Sequence, residues 1–210
     1  MSGSSTSRTP RNISNNQLKR KYCHPPLLEP GSIRLLRLMP HTDENARIRC
    51  RLFNYPLLES GEETCLYEAL SYVWGCPDES HCISIDGCAF PVTANLHAAL
   101  LRLRDRLIER IIWVDAICIN QGDDREKGKQ IRYMAEIYSK ASRVIVWLGG
   151  AEDGSDRALE EIRLAAADEI PPEPSVGEPA AKQVILALLR RPWFERIWVR
   201  GPSTWWHRCA

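Results

Sequence analysis

The sequence predicts an α/β domain whose sheet is largely parallel, is flanked by helices and carries an N-terminal β-ribbon. Three short runs, at residues 68–74, 111–118 and 143–148, are nearly continuously apolar and rich in β-branched or aromatic residues. Such runs are typical of strands that helices cover on both faces. Helical patterns separate the runs, and this alternation favours parallel strands joined by right-handed crossovers.

The ribbon is predicted from two patterns near the N-terminus. An apolar stretch at residues 33–38 indicates one short strand. In the second pattern Ile48, Cys50 and Leu52 alternate with arginines, which is typical of a half-exposed strand. We expect the two strands to pair as a hairpin or an edge ribbon around the polar turn at residues 41–45.

Two amphipathic helices are predicted between the core strands. The first carries four leucines at spacings of four, three and four residues, and Thr93 or Asn95 could cap it. The second follows Asp123, which matches a capping box with Glu126. The expected buried residues are Leu96, Leu100, Leu103 and Leu107 in the first helix, and Ile131, Met134 and Tyr138 in the second.

Two further helices are predicted at residues 155–168 and 180–191, joined by an acidic, proline-rich loop. A tight turn at Asp86 and Gly87 predicts a hairpin over residues 82–90. Four potential zinc ligands lie in and beside this hairpin, but their spacing is unlike that of structural zinc sites, so we expect no metal there. The four are Cys76, His81, Cys82 and Cys88.

The composition is that of an ordinary globular chain of 210 residues, 44% apolar and 26% charged, with a formal net charge of +1. This balance argues against a nucleic-acid-binding protein, and no apolar run approaches the roughly 20 residues of a membrane span. The start resembles no secretory signal, so the eight cysteines are expected to be reduced in an intracellular protein. Residues 1–28 contain no acid and are expected to be a disordered basic tail.

Polar side chains gather at the predicted carboxyl ends of two core strands. Asp115 lies within an apolar run, and a buried carboxylate needs partners. Because ligands of open α/β sheets bind at this edge, these residues predict a polar cleft with an aromatic wall. The alternative is that Asp115 and Asn120 only hold the loops by Asx-type hydrogen bonds and that Glu126 only caps its helix. The candidate cleft residues are Ser71, Tyr72, Trp74, Gly75, Asp115, Asn120, Gln121, Glu126 and Gln130.

Four segments, in a fixed order, carry a resemblance to a known family. They are YEALSYVWG at residues 67–75, WVDAICINQ at 113–121 with Glu126 and Gln130 beyond it, ASRVIVWLG at 141–149, and RPWFERIWV at 191–199. Together they resemble the fungal heterokaryon incompatibility (HET) domain. The resemblance implies a fungal, cytoplasmic protein of nonself recognition whose HET domain triggers programmed cell death.

The resemblance also suggests how the chain is divided. We expect a disordered tail at residues 1–30, a β-ribbon at 31–64, an incomplete HET domain at 65–199 and a tail unlike the family at 200–210. Because the family pattern breaks at Arg200, we expect a C-terminally truncated or mis-spliced chain.

HET domains are in turn distantly similar to TIR domains, some of which cleave NAD with a catalytic glutamate. This likeness implies a TIR- or flavodoxin-like sheet. HET proteins usually carry Gln and Glu three and four residues after the tryptophan that matches Trp198, where this chain has Gly201 and Pro202. Proline has no carboxylate to stabilise an oxocarbenium-like transition state, so we expect no release of nicotinamide from NAD.

Three readings of function follow. The first is a HET-type signalling module that associates with itself or with partner proteins and uses no cofactor, metal, nucleic acid or membrane span. The second is a TIR-like NAD glycohydrolase with NAD as its substrate, whose acid would be Asp115, Glu126 or Glu195. The third is a non-functional truncated fragment, which aggregation through Trp205 and Trp206 would reveal.

Overall fold

The computed structural model describes residues 22–27, 29–57, 66–167 and 178–195. Its strands, in chain order, are β1 (Ser32–Leu38), β2 (Arg49–Pro56), β3 (Glu68–Tyr72), β4 (Ser80–Ile85), β5 (Cys88–Thr93), β6 (Arg110–Trp113) and β7 (Arg143–Trp147). In this part of the chain they form one seven-stranded sheet in the order β5-β4-β2-β1-β6-β3-β7. The predicted α/β fold, with helices flanking a sheet, is therefore confirmed.

The sheet is mixed, however, and the prediction of a largely parallel sheet is wrong. β3 pairs in parallel with β6 and β7, and β2 pairs in parallel with β4. β1 runs antiparallel to β2 and β6, and β4 runs antiparallel to β5. Short connections join β1 to β2 and β4 to β5, and strands joined in this way pair antiparallel. The connections between the parallel strands β3, β6 and β7 are longer and contain helices.

The N-terminal hairpin forms as predicted, with Ser32 opposite Pro56 and Leu38 opposite Cys50. It is not an edge ribbon, because β1 lies between β2 and β6 near the middle of the sheet. A strand that is apolar on both faces must be covered on both faces, which an edge position does not provide. The apolar side chains of β1 are at most 1% exposed, and they are Ile33, Leu35, Leu36 and Leu38.

The second predicted hairpin is also present as β4 and β5. Its turn residues both have positive φ, 51° at Asp86 and 82° at Gly87, as a two-residue turn of type I′ requires. The chain then enters α1 (Ala94–Leu103), where the Thr93 hydroxyl accepts a hydrogen bond from the N–H of Leu96 at 3.4 Å. Leu107 lies beyond this helix and is 81% exposed, so its assignment to the buried stripe is wrong.

The second apolar run holds a shorter strand than predicted. β6 ends at Trp113, and the chain then forms a one-turn helix, α2 (Asp115–Cys118). One carboxylate oxygen of Asp115 accepts a hydrogen bond from the N–H of Ala116 at 2.7 Å. Because such local bonding competes with strand pairing, it favours a turn into a helix at this point. Burial raises the pKa of the Cys118 thiol in α2 to about 12.

The next helix, α3 (Asp124–Ser139), begins where the sequence predicts. The Asp123 carboxylate accepts hydrogen bonds from the N–H groups of Arg125 and Glu126, each at 3.0 Å. The capping box is incomplete, because the Glu126 carboxylate bonds to the N–H of Asn120 rather than to that of Asp123. Asp123 is thus a one-sided cap, and Glu126 serves a different purpose.

The buried face of α3 differs from the predicted one. Gln130 and Ile137 are buried, whereas Ile131 is 49% exposed. Met134 and Tyr138 are partly buried against the core. The prediction from apolar residues alone is wrong here, because a glutamine side chain can be buried when its amide is hydrogen-bonded.

After β7 the chain forms α4 (Ser155–Ala166), α5 (Glu178–Leu189) and a short 3-10 helix (Pro192–Glu195). The two predicted helices are therefore present, and they pack against each other. The predicted proline-rich loop falls mainly on residues 168–177, and the predicted end of the chain, with Trp198, Gly201, Pro202, Trp205 and Trp206, falls on residues 196–210; both lie outside the described residues. In the described ranges, no helix has the length and apolar character needed to cross a membrane.

Residues 22–27 form an N-terminal strap that packs on the sheet, so the predicted disordered tail does not extend this far. The N–H of Tyr22 donates to the backbone oxygen of Ala89 in β5 at 3.3 Å. The rings of Tyr22, His24 and Phe90 pack edge to face, with centroids 5.2 to 5.9 Å apart. Aromatic packing thus anchors this end of the predicted tail. Residues 1–21 of the predicted tail lie outside the described residues.

Candidate functional site

The carboxyl ends of β3 and β6 meet through Trp74 and Asp115. Trp74 Nε1 donates to Asp115 Oδ2 at 3.0 Å, and Asp115 Oδ1 accepts the N–H of Ala116. The Trp74 side chain is 44% exposed, so this contact lies at the surface of the molecule. The structure therefore joins two of the residues that the sequence places in a cleft.

Gly75 lets the chain leave β3 close to the start of α1. Its φ is +81°, and a Cβ at this position would lie 3.2 Å from the Cβ of Asn95. Asn95 Nδ2 donates to the backbone oxygen of Val73 at 2.6 Å, and Asn95 Oδ1 accepts from Trp147 Nε1 at 2.8 Å. Asn95 therefore links α1 to the segment after β3 and to the end of β7.

Asn120 and Gln121 occupy the loop between α2 and α3. Gln121 Nε2 donates to the backbone oxygen of Asp115 at 3.0 Å. Asn120 Oδ1 accepts the N–H of Gly122 at 3.2 Å. These bonds hold the loop locally, as the structural alternative from the sequence proposes. Both side chains are only partly buried, so they stand beside Asp115 at the surface of this edge.

Glu126 forms a bidentate ion pair with Arg34 of β1. Its Oε1 lies 2.6 Å from Arg34 Nη1, and its Oε2 lies 2.9 Å from Arg34 Nη2. Oε1 also accepts the N–H of Asn120 at 2.8 Å. The side chains of Arg34 and Glu126 are only 1% and 12% exposed. A buried guanidinium needs such a paired and hydrogen-bonded carboxylate, so this contact is structural.

Arg34 also fixes the strap and α2. Arg34 Nε donates to the backbone oxygen of Pro25 at 3.1 Å, and Nη1 donates to that of Cys118 at 3.2 Å. His24 Nε2 contacts the backbone oxygen of Ile117 at 2.8 Å. One buried side chain therefore joins the strap, β1, α2 and α3.

Opposing influences set the pKa of Glu126. Burial acts to raise it, while the hydrogen bonds and charge of Arg34 and the hydrogen bond from the Asn120 N–H act to lower it. The lowering influences prevail, so the pKa of Glu126 lies below its ordinary value. His24 behaves differently: burial lowers the pKa of its imidazole despite the contact with Ile117.

The remaining candidates are Gln130, Ser71 and Tyr72. Gln130 Nε2 donates to the backbone oxygen of Ser32 at 3.0 Å and is buried. Ser71 Oγ accepts a hydrogen bond from Trp193 Nε1 at 3.1 Å. Tyr72 is 1% exposed within the core. Ser71 and Tyr72 are neighbours in β3, and successive side chains of a strand point to opposite faces of the sheet.

The structure adds residues that the sequence did not place at the site. The sequence predicts Asn95 only as a possible helix cap, and Trp147 lies in the apolar run at residues 143–148. The sequence around Arg34 does not predict its role, because a single arginine within a short apolar strand has no distinctive pattern. Its partner Glu126 is 92 residues away, so only the fold reveals the pair.

A surface pocket of about 390 Å³ follows β7 and is lined by residues 148–150, 152–153, 187 and 190–192. Arg191 on its wall donates to the backbone oxygens of Leu148, Gly150 and Glu152. Within the described ranges no group of three or more His, Cys, Asp or Glu side chains could hold a metal ion. His81, one of the four zinc candidates, stacks on His97 with the ring centroids 4.5 Å apart.

Chemically, the edge at Trp74 offers an indole ring, one carboxylate and two side-chain amides. Asp115 is engaged by Trp74 and Ala116, and Asn120 and Gln121 are engaged by backbone groups. Such a surface can contact a partner through an aromatic ring with polar neighbours, a combination that is frequent at protein interfaces.

Comparison with known proteins identifies the family. The family model described as heterokaryon incompatibility protein (HET) matches residues 67–200. The chain therefore belongs to the fungal heterokaryon incompatibility family, as its four sequence segments predict. The match spans β3 to the 3-10 helix and includes the edge at Trp74, while β1 and β2 precede it.

A particular relative gives a closer comparison. The chain is 39% identical over 150 residues to heterokaryon incompatibility protein 6, OR allele, of Neurospora crassa. The match covers 65% of this chain and 22% of that protein, so the chain spans about a fifth of the length of the relative. No solved structure matches the chain significantly.

Proposed function

We propose that the chain is a HET signalling module of fungal nonself recognition. In this proposal it acts in the cytoplasm and starts a death response through contacts with itself or with partner proteins. The observation that carries the proposal is the match of residues 67–200 to the HET family. The similarity to a heterokaryon incompatibility protein of Neurospora crassa supports it.

The edge at Trp74 is compatible with a module that acts through contacts with other protein surfaces. The edge at Trp74 presents an exposed aromatic ring beside polar groups that are already held in place. A distant relation to TIR domains belongs to the same proposal. It is supported by β6, β3 and β7, which are parallel neighbours joined along paths that contain helices, as in flavodoxin-like sheets.

Induced expression in Neurospora crassa hyphae tests the proposal. We expect growth arrest and loss of viability after induction of the intact chain. The variant Glu126→Gln should be much less toxic, because it leaves the Arg34 guanidinium buried without its carboxylate.

The matched control is Glu160→Gln, which removes a carboxylate from the exposed pair with Arg163 in α4. This variant should be as toxic as the original chain, because exposed pairs contribute little to stability. Healthy hyphae that accumulate the folded, unchanged chain would contradict the proposed function.

A further inference from the structure

The strap of residues 22–27 is attached to the domain through Tyr22, His24 and Pro25. The N–H of Tyr22 bonds to the strand β5, and His24 Nε2 lies 2.8 Å from a backbone oxygen of α2. The backbone oxygen of Pro25 accepts hydrogen bonds from the Arg34 guanidinium. Of these attachments, the one through His24 depends on a side chain that gains a proton near neutral pH.

The contact of His24 with α2 requires a particular protonation state. The backbone oxygen of Ile117 can only accept, so Nε2 of the imidazole carries a hydrogen and, in the neutral ring, Nδ1 carries none. The ring packs edge to face with Tyr22 and Phe90, at centroid distances of 5.2 and 5.9 Å. Such packing removes the ring from part of its water, which disfavours the charged imidazolium.

The charges near the His24 ring do not compensate a second cation at this place. Both carboxylate oxygens of Glu126 already accept hydrogen bonds from Arg34. Burial lowers the pKa of His24 most strongly and the charge of Arg34 lowers it further, against the raising influences of the Ile117 hydrogen bond and of Glu126. The docked strap therefore favours the neutral ring.

The elements around the strap carry other titratable groups, but no second imidazole. These groups are Tyr22 and Cys23 in the strap, Asp86 and Cys88 in the β4–β5 hairpin, and Asp115 and Cys118 in α2. Burial raises the pKa of Tyr22 and that of Cys118 to about 12, so both are neutral at pH 7. The Asp86 carboxylate accepts the N–H of Leu52, and Asp115 is bonded by Trp74. An imidazole is the side chain whose ordinary pKa lies between pH 5 and 8, and His24 supplies it here.

We propose that the strap is an acid-sensitive switch, in which protonation of His24 detaches residues 22–27 from β5, α2 and Arg34. A proton from water binds Nδ1, and the imidazolium leaves the guanidinium of Arg34 and is solvated. Detachment leaves the backbone oxygen of Ala89 and the ring of Phe90 without their contacts to the strap. The inference concerns how the strap is held, and it does not rest on the proposed function.

The direction of the pH dependence follows from the direction of the pKa shift. Because docking lowers the pKa of His24 below its ordinary value of 6.5, docking is strongest above pH 6.5 and weakens as the pH falls below it. The pKa of Glu126 lies below its ordinary value of 4.5, so its pair with Arg34 stays ionised at pH 5.5. Release of the strap between pH 7.5 and pH 5.5 therefore reports on His24 and not on the ion pair.

Hydrogen exchange of the Tyr22 amide in the unchanged chain measures docking of the strap. Its protection factor, which corrects for the pH dependence of free-amide exchange, should fall by about threefold or more between pH 7.5 and pH 5.5. The reference is the amide of Ala158 in α4, which donates to the backbone oxygen of Gly154 at 3.0 Å. Its protection factor should stay constant, which excludes loss of stability of the whole domain.

Two variants remove the proton acceptor. His24→Gln keeps an amide N–H that can donate to Ile117, His24→Phe keeps a ring between Tyr22 and Phe90, and neither gains a proton in this range. Each should protect the Tyr22 amide equally at pH 7.5 and pH 5.5, even where docking is weaker overall. The matched control is His41→Gln in the exposed loop between β1 and β2, which should respond to pH as the unchanged chain does.

The imidazole of His24 gives an independent measurement in the unchanged chain. Its titration, followed by NMR, should have a midpoint below pH 6.5, and this result decides the case if neither variant docks the strap. A midpoint at or above pH 6.5, or a Tyr22 protection factor that does not change with pH, would overturn the proposal. The same pH response in His24→Gln and His24→Phe as in the unchanged chain would also overturn it. Toxicity in hyphae enters none of these measurements, so the proposed function is tested separately.

Discussion

At the scale of single residues, two carboxylates at the start of α3 have different roles: Asp123 caps the helix, and Glu126 pairs with the buried Arg34. The capping role of Asp123 follows from its position before a helical pattern, and the structure confirms it. The capping box predicted for Glu126 does not form, since its carboxylate binds Arg34 and the N–H of Asn120. Its partner Arg34 lies in β1, 92 residues away along the chain, so neither periodicity nor spacing predicts the contact.

The ion pair of Arg34 and Glu126 gives a direct stability prediction. Glu126→Gln should lower the free energy of unfolding by about 3 kcal/mol, because removing one partner leaves a buried charge uncompensated. Denaturant unfolding measures this change. The exposed control Glu160→Gln should leave the free energy of unfolding nearly unchanged, because an exposed ion pair contributes little. Equal changes in the free energy of unfolding would contradict this prediction, because the buried pair would then stabilise the fold no more than the exposed pair.

The same pair predicts how stability depends on pH. Because folding lowers the pKa of Glu126, its contribution is complete above the ordinary glutamate pKa and is lost as the pH falls through the lowered value. The unfolding free energy of the unchanged chain should therefore fall more steeply below about pH 4.5 than that of Glu126→Gln. Parallel pH profiles for the two proteins would contradict this assignment.

At the scale of elements, the sequence predicts most helices and strands because each depends on residues close in the chain. The hairpin of β4 and β5 follows from its Asp-Gly turn, and α1 follows from Thr93 and the leucine spacing. The predictions are wrong where tertiary contacts determine the local conformation or the buried face of a helix. The run after Trp113 becomes α2 instead of continuing as a strand, and α3 buries Gln130 because the backbone oxygen of Ser32 accepts its amide.

Two glycines with different backbone conformations should respond oppositely to alanine. Gly75→Ala should destabilise the domain by about 1–2 kcal/mol, because φ is positive there and the new Cβ would crowd Asn95. Gly128→Ala, in the interior of α3 with no neighbour within 4 Å of the new Cβ, should stabilise it by about 0.5–1 kcal/mol. Thermal unfolding of both variants checks the signs, and a shift in the same direction for both would contradict the explanation.

At the scale of the whole molecule, strand order was the least predictable property. The sequence separates a ribbon at residues 31–64 from the domain that follows, and this division is still a prediction. In the sheet, β1 lies beside β6, and its Arg34 reaches Glu126 in α3. Which strands become neighbours depends on contacts between distant residues, so the pattern of one segment cannot reveal it. The part that precedes the family match is thus built into the same core.

The claim that β1 and β2 complete the sheet of the HET domain is tested most directly by removing them. Thermal unfolding should be compared for the full chain, for a chain starting at residue 22 and for a chain starting at residue 66. The first two should unfold cooperatively, while the third should show no cooperative transition, because β6 loses its antiparallel neighbour and Glu126 loses Arg34. A chain starting at residue 66 that unfolds cooperatively, with the stability of the full chain, would contradict the claim.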